Sequence, residues 1–201
     1  MNAAPSRVGL FGGSFDPVHN AHVALARTAL EQLALDGVWW IPAGRAWQKA
    51  GAATTAGHRA AMVELAIAGE PRFRLERCEL DREGPSYTID TVRALQRRAP
   101  TTAWTLILGQ DQYAGLPTWH EWRELVSCVT LAVAGRAGAE PQAPPELAAV
   151  AHRVVVLDMP PMAVSATGLR ERIARGDDIA ALVPPGVARY IDRHHLYRGT
   201  P

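Results

Sequence analysis

Val8-Gly9-Leu10-Phe11-Gly12-Gly13-Ser14-Phe15-Asp16-Pro17-Val18-His19-Asn20-Ala21-His22 decides how the rest of this chain is read. Its first four residues are an apolar run with the look of a buried strand, and a helical apolar pattern follows over residues 21–35. Two glycines, a turn and two histidines therefore sit where a strand hands over to a helix. That junction favours phosphate: the first N–H groups of a helix are unpaired, and the helix dipole attracts negative charge there. Glycine lets a ligand come close to the backbone. His19 and His22 are three apart, so at a helix start they share a face and can meet one ligand. An isolated histidine pair would read as satisfied surface or core residues; the Gly-Gly turn after an apolar strand favours a ligand. A metal site would use Asp16, His19 and His22, but no further His, Cys or Glu cluster completes it, so no protein-held metal is expected.

Outward from this motif the pattern alternates. Strands are expected at residues 7–11, 37–41, 73–80, 103–108, 128–134 and 153–157. Helices are expected at 21–35 with Val23, Ala26, Leu30 and Leu33 inward, from a Thr55 cap to Gly69, and at 87–98 with Ile89, Val92 and Leu95 inward. Further helices are expected at 119–126, at 166–175 behind a Ser165 cap, and at 187–194. Residues 139–149 read as loop or marginal helix. Alternation of this kind predicts an α/β fold: a Rossmann-like, doubly wound parallel sheet with helices on both faces and a small C-terminal helical part from about residue 165. Ligands in such sheets sit beyond the carboxyl ends of the strands, where the order reverses. Gly12-Gly13 and Gly109-Gln110-Asp111 should border one crevice.

The chain has 201 residues, 48% of them hydrophobic and 20% charged, with a net charge of +1. This fits one soluble domain, residues 1–201, and gives no reason to expect nucleic acid as a partner. No run of the ~18 apolar residues needed to cross a bilayer is present, nor an apolar leader at the N-terminus, so neither membrane nor secretion is expected. Cys78 and Cys128 fit no metal spacing and read as reduced thiols of a cytoplasmic protein. A homo-oligomer is compatible with all of this.

Three more motifs carry polar chemistry. Ser86-Tyr87-Thr88-Ile89-Asp90-Thr91 has the form of a capped helix start, with Ser86 or Thr88 as cap and Asp90 in the first turn. Leu108-Gly109-Gln110-Asp111 leads to Leu116-Pro117-Thr118-Trp119-His120-Glu121-Trp122, where Asp111 can accept from ribose hydroxyls and Trp119 offers a stacking face. Ser165-Ala166-Thr167-Gly168-Leu169-Arg170 puts a hydroxyl and an arginine at a helix N-terminus, a setting for phosphates as well as an ordinary cap.

Together these strings, from Val8 to Tyr197, resemble the nicotinate-nucleotide adenylyltransferases of the His-x-Gly-His nucleotidyltransferase superfamily. The first motif alone resembles the superfamily; Ser86–Thr91 and Thr118–His120 narrow the acceptor. The resemblance implies adenylyl transfer from ATP to nicotinate mononucleotide, giving deamido-NAD and pyrophosphate, with Mg²⁺ bound alongside ATP. It implies that Gly12, Gly13, Ser14, His19, His22, Gly109, Asp111, Ser165 and Arg170 contact ATP. It assigns Lys49, Thr88, Asp111, Trp119 and His120 to the mononucleotide, and makes His19, His22, Lys49 and Arg170 catalytic. The chain departs from the family pattern at Ala21, where glycine is usual, and at Trp47-Gln48, where Pro and His commonly precede the lysine. Arg59 reads either as a further contact or as a solvated charge. The rival readings are another acceptor, phosphopantetheine or nicotinamide mononucleotide, and a nucleotide sensor without catalysis.

Overall fold

Runs such as Val-Trp-Trp-Ile and Leu-Ile-Leu are apolar at every position, which only a strand covered on both faces can use. The computed structural model describes residues 6–44, 54–135 and 140–198. Among them β1 (Arg7–Gly13), β2 (Gly37–Pro42), β3 (Phe73–Leu75), β4 (Ala103–Gly109), β5 (Thr130–Ala134) and β6 (Arg153–Leu157) form one sheet in the order β3-β2-β1-β4-β5-β6. Every pairing is parallel. The helices are α1 (Asn20–Gln32), α2 (Ala56–Ile67), α3 (Thr88–Arg98), α4 (Gln110–Ala114), α5 (Trp122–Cys128), α6 (Pro145–Ala148), α7 (Ala166–Ala174) and α8 (Pro185–Arg193).

Each face of the sheet has its own core. Leu25, Leu30, Met62, Val63, Ile173 and Val187 bring α1, α2, α7 and α8 onto one face. Ile89, Val92, Leu95, Leu125 and Val126 bring α3 and α5 onto the other. At Gly9, in the central strand, a Cβ would come within 2.8 Å of Ile107 Cδ1, so glycine lets the first core close without shifting that side chain. The strand order runs outward in both directions from β1 and β4, making their junction the switch point. Leu10 pairs with Leu106, so Gly13 and Gly109, each three residues on, end at the same sheet edge.

The architecture is the Rossmann-like, doubly wound sheet expected from the alternation, with α7 and α8 following the last strand and α8 packing on α2. Thr55 and Ser165 cap as expected, accepting from the N–H groups of His58 and Gly168. Several local expectations are corrected. β3 stops at Leu75, not residue 80. Its last ladder partner is Trp40, and beyond Glu76 the chain turns, with Asp81 N–H donating to the Arg77 carbonyl. α1 ends at Gln32 because Ala34 takes a left-handed backbone, and its buried stripe is Leu25, Ala26, Ala29 and Leu30; Val23 and Leu33 only border the core. The helix expected over 119–126 is shifted: α4 and a 3-10 turn over Leu116–Thr118 lie before it, and α5 begins only at Trp122, after Glu121 at a φ of 48°. Cys128 ends α5, so β5 starts two residues later than expected. Tyr87, not Ser86 or Thr88, holds the N-cap position of α3 and gives it no side-chain cap. Among the described residues no helix is long and apolar enough to cross a membrane.

Candidate active site

β1 delivers Gly12 and Gly13 to the sheet edge, and the chain turns through Ser14–Val18 into α1 with His19 as its N-cap. His19 is buried, and loss of water around the ring pushes its pKa down to about 4, so it is neutral near pH 7. His22, one turn on, stacks on His19 at 3.6 Å between ring centroids and 20° between planes. The backbone N–H of His19 donates to Nδ1 of His22 at 3.2 Å. An accepting Nδ1 carries no proton, so the neutral His22 ring holds its proton on Nε2. Phe15 meets His22 edge-on at 5.2 Å. Burial, the backbone bond and the aromatic neighbour thus set both rings before any ligand arrives.

Behind this loop lies a buried polar knot. Asp16 Oδ1 accepts from the Tyr197 hydroxyl at 2.6 Å and from the Thr54 hydroxyl, and Oδ2 accepts from Thr54 N–H at 3.3 Å. Arg170 donates from Nη1 to the Asp16 carbonyl at 2.8 Å and from Nη2 to Thr167 Oγ1. Arg59 is only 4% exposed and donates to the carbonyls of Ser14 (3.0 Å), Gly44 (3.2 Å) and Thr54 (3.2 Å). It is therefore neither a solvated charge nor an open ligand contact; it ties three chain segments together, something only the fold can bring about.

In front of the loop opens a cleft of about 900 Å³. Gly12, Gly13, Ser14, His19 and His22 line it from β1 and α1; Gly109 and Asp111 line it from the end of β4; Ser165 lines it from the start of α7. Thr88, Trp119 and His120 line it as well. There the two segments distant in sequence meet: the rings of Tyr87 and His120 lie 4.3 Å apart. Arg93 of α3 pairs with Glu121 and Glu124 across this junction, fixing the Trp119–Glu121 turn against the helix. Those carboxylates in turn hold the Arg93 guanidinium above its ordinary pKa, Glu124 most strongly. Arg170 is not part of the cleft wall. Lys49 lies outside the described residues. Among the described residues no group of three or more His, Cys, Asp or Glu is arranged to hold a metal.

Sequence reasoning missed several lining residues. Glu79 is buried in the wall, and burial pushes its carboxyl above the usual range, against the Thr91 hydroxyl and the Arg82 charge. The sequence signal for it was an acidic residue inside a run read as strand. Met159, Pro160, Pro161 and Met162 form an apolar wall near Ser165 that no motif marks.

The cytidylyltransferase-like family matches residues 10–172 of the chain. A protein of Methylibium petroleiphilum named a probable nicotinate-nucleotide adenylyltransferase is 57% identical over 98% of this chain and 95% of its own length. One of the same name from Bordetella petrii is 53% identical over 96% of this chain and 99% of its own. In three dimensions the fold is similar to the nicotinic acid mononucleotide adenylyltransferase of Plasmodium falciparum complexed with NaAD. The TM-score is 0.79 at 19% identity, covering 96% of this chain and 97% of that one.

Proposed function

The chain belongs to the cytidylyltransferase-like family, among the nicotinate-nucleotide adenylyltransferases, and on that premise we propose that it transfers the adenylyl group of ATP to nicotinate mononucleotide, releasing pyrophosphate. The observation that carries the reading is the convergence on one cleft: the histidine pair at the start of α1 lines it together with Thr88, Trp119 and His120.

A phosphate monoester has a second pKa near 6, so the mononucleotide phosphate is largely a dianion at neutral pH and needs no general base. One of its oxygens attacks the α-phosphorus of ATP in line; the new P–O bond forms as the bond to the β-phosphate bridging oxygen breaks, and pyrophosphate leaves with that electron pair. Catalysis is then positioning plus stabilisation of charge on the equatorial oxygens. His22, with its proton on Nε2, donates to the α-phosphate, and neutral His19 contacts the phosphates beside it. Ser14 and the N-terminus of α1 complete that cradle. Ser165 faces the β- and γ-phosphates at the start of α7, and Arg170 adds positive charge from behind the loop. Gly109 leaves room for ATP, and Asp111 accepts from ribose hydroxyls. Trp119 stacks on the pyridine ring, while Thr88 and the backbone of His120 face its carboxylate. Mg²⁺ would arrive on ATP through phosphate oxygens and water, neutralising their charge; a cleft whose described residues offer donors and not clustered carboxylates fits that mode. The reaction belongs in the cytoplasm, which suits two cysteines that do not pair with each other.

The test is pyrophosphate release with ATP and Mg²⁺, comparing nicotinate mononucleotide with its amide. Strong preference for the acid is expected. Equal rates would remove the roles given to Thr88 and His120, and ATP binding with no release would favour a sensor.

A further inference from the structure

We propose that Glu79 is a positioning residue for the pyridine end of the cleft: its carboxyl takes the Thr91 hydroxyl and so holds the first turn of α3 where Thr88 and the leading N–H groups meet an acidic pyridine mononucleotide. The inference rests on the reading of that end as the nicotinate mononucleotide site.

Glu79 is 7% exposed and lies in the cleft wall beside Ser86, Thr88 and Thr91. Thr91 Oγ1 donates to Glu79 Oε1 at 2.8 Å, and Thr91 is itself 1% exposed. Thr88 and Thr91 are three apart and share a face of α3, so a grip on one sets the direction of the other. The helix start has no side-chain cap of its own, and this bond anchors its first turn from outside the helix through a side chain. The backbone of Glu79 is fixed as well. A Cβ on Gly44 would overlap the Glu79 carbonyl oxygen and come within 2.9 Å of Ser86 Oγ, so the exit of β2 is pressed against this turn. The Gly44 carbonyl is in turn held by Arg59. Glu79 therefore links the end of β2 to the first turn of α3. Its burial also disfavours ionisation, which limits repulsion of a carboxylate ligand nearby.

Five forms decide the matter: wild type, Glu79→Gln, Glu79→Ala, Thr91→Val and the Glu79→Ala/Thr91→Val double variant. Steady-state pyrophosphate release gives kcat and KM for nicotinate mononucleotide, its amide and ATP, and a thermal melt accompanies each. Glu79→Ala and Thr91→Val should each raise KM for the acid about tenfold, the scale of one orphaned buried hydrogen bond. They should change kcat less than about twofold and leave KM for ATP alone, and the double variant should be no worse than either single one. Glu79→Gln keeps an oxygen that accepts from Thr91 and should stay close to wild type. An unchanged KM for the acid in Thr91→Val overturns the proposal even where Glu79→Ala does not fold. So does a Glu79→Gln as impaired as Glu79→Ala, or an equal rise in KM for ATP. A wild-type protein that releases no pyrophosphate with the acid removes the underlying reading and this proposal with it, whereas normal wild-type turnover with indifferent variants removes the proposal alone.

Discussion

Replacing Arg59 by Met keeps much of the side-chain volume and removes the guanidinium that spans Ser14, Gly44 and Thr54. Three carbonyls that accept from a buried cation lose their donor, and the buried Asp16 loses a neighbouring positive charge. Hydrogen bonds to charged groups are worth roughly 1.5–3 kcal/mol each and do not add fully. Leaving a buried charge without its partner costs about 3–5 kcal/mol. A net loss of about 4 kcal/mol is expected. For a protein of this size, roughly 2–4 °C of Tm is lost per kcal/mol, so the midpoint should fall by about 8–16 °C. Arg59→Lys can reach only part of this set and should lose about half as much. The assay is a reversible thermal or urea melt of the three forms, with steady-state kinetics on the folded protein at low temperature. KM for ATP should rise in both variants, because the Ser14 carbonyl belongs to the phosphate loop. A Met variant melting within about 3 °C of wild type would refute the reasoning: it would mean that water satisfies the three carbonyls and Arg59 holds nothing together.

Other expectations follow from the histidine pair and the pyridine end. His19 titrates at about 4 when folded against an ordinary 6.5, so between these values the unfolded chain binds more protons and stability falls as pH drops. At pH 5 the wild type should have lost about 2 kcal/mol relative to His19→Asn, read from urea melts at pH 7.5 and 5; equal pH slopes would exclude burial of a neutral ring. His22→Ala should keep its fold and lower kcat more than tenfold, since the ring meets charge that grows in the transition state; unchanged turnover in a folded variant would rule the mechanism out. Trp119→Ala should raise KM for the mononucleotide about tenfold through loss of a stacking face, and an unchanged constant would take Trp119 out of the site.

What the amino-acid sequence determined by itself was local or periodic. Alternating apolar patterns with Thr55 and Ser165 as caps were enough for the α/β class, because strand and helix periods and N-caps are properties of neighbouring residues. Gly12-Gly13 and Gly109 could be placed on one crevice because both follow apolar strands, and the observed β1–β4 pairing puts them there. Tertiary structure decided everything that depends on which segments meet. β3 stopped at Leu75 because the chain turns away after Glu76 while β2 runs on to Pro42, which no propensity of residues 76–80 encodes. Trp119 fell outside a helix because Glu121 takes a left-handed backbone held by its setting, including the Arg93 pair from α3. Arg59, an open question in the sequence, became a buried clamp because three backbone segments converge on it. Glu79 was hidden inside a presumed strand until the fold set its carboxyl against Thr91, twelve residues away. Hydrogen bonds between distant segments carry no period, so they leave no mark in the chain until it has folded.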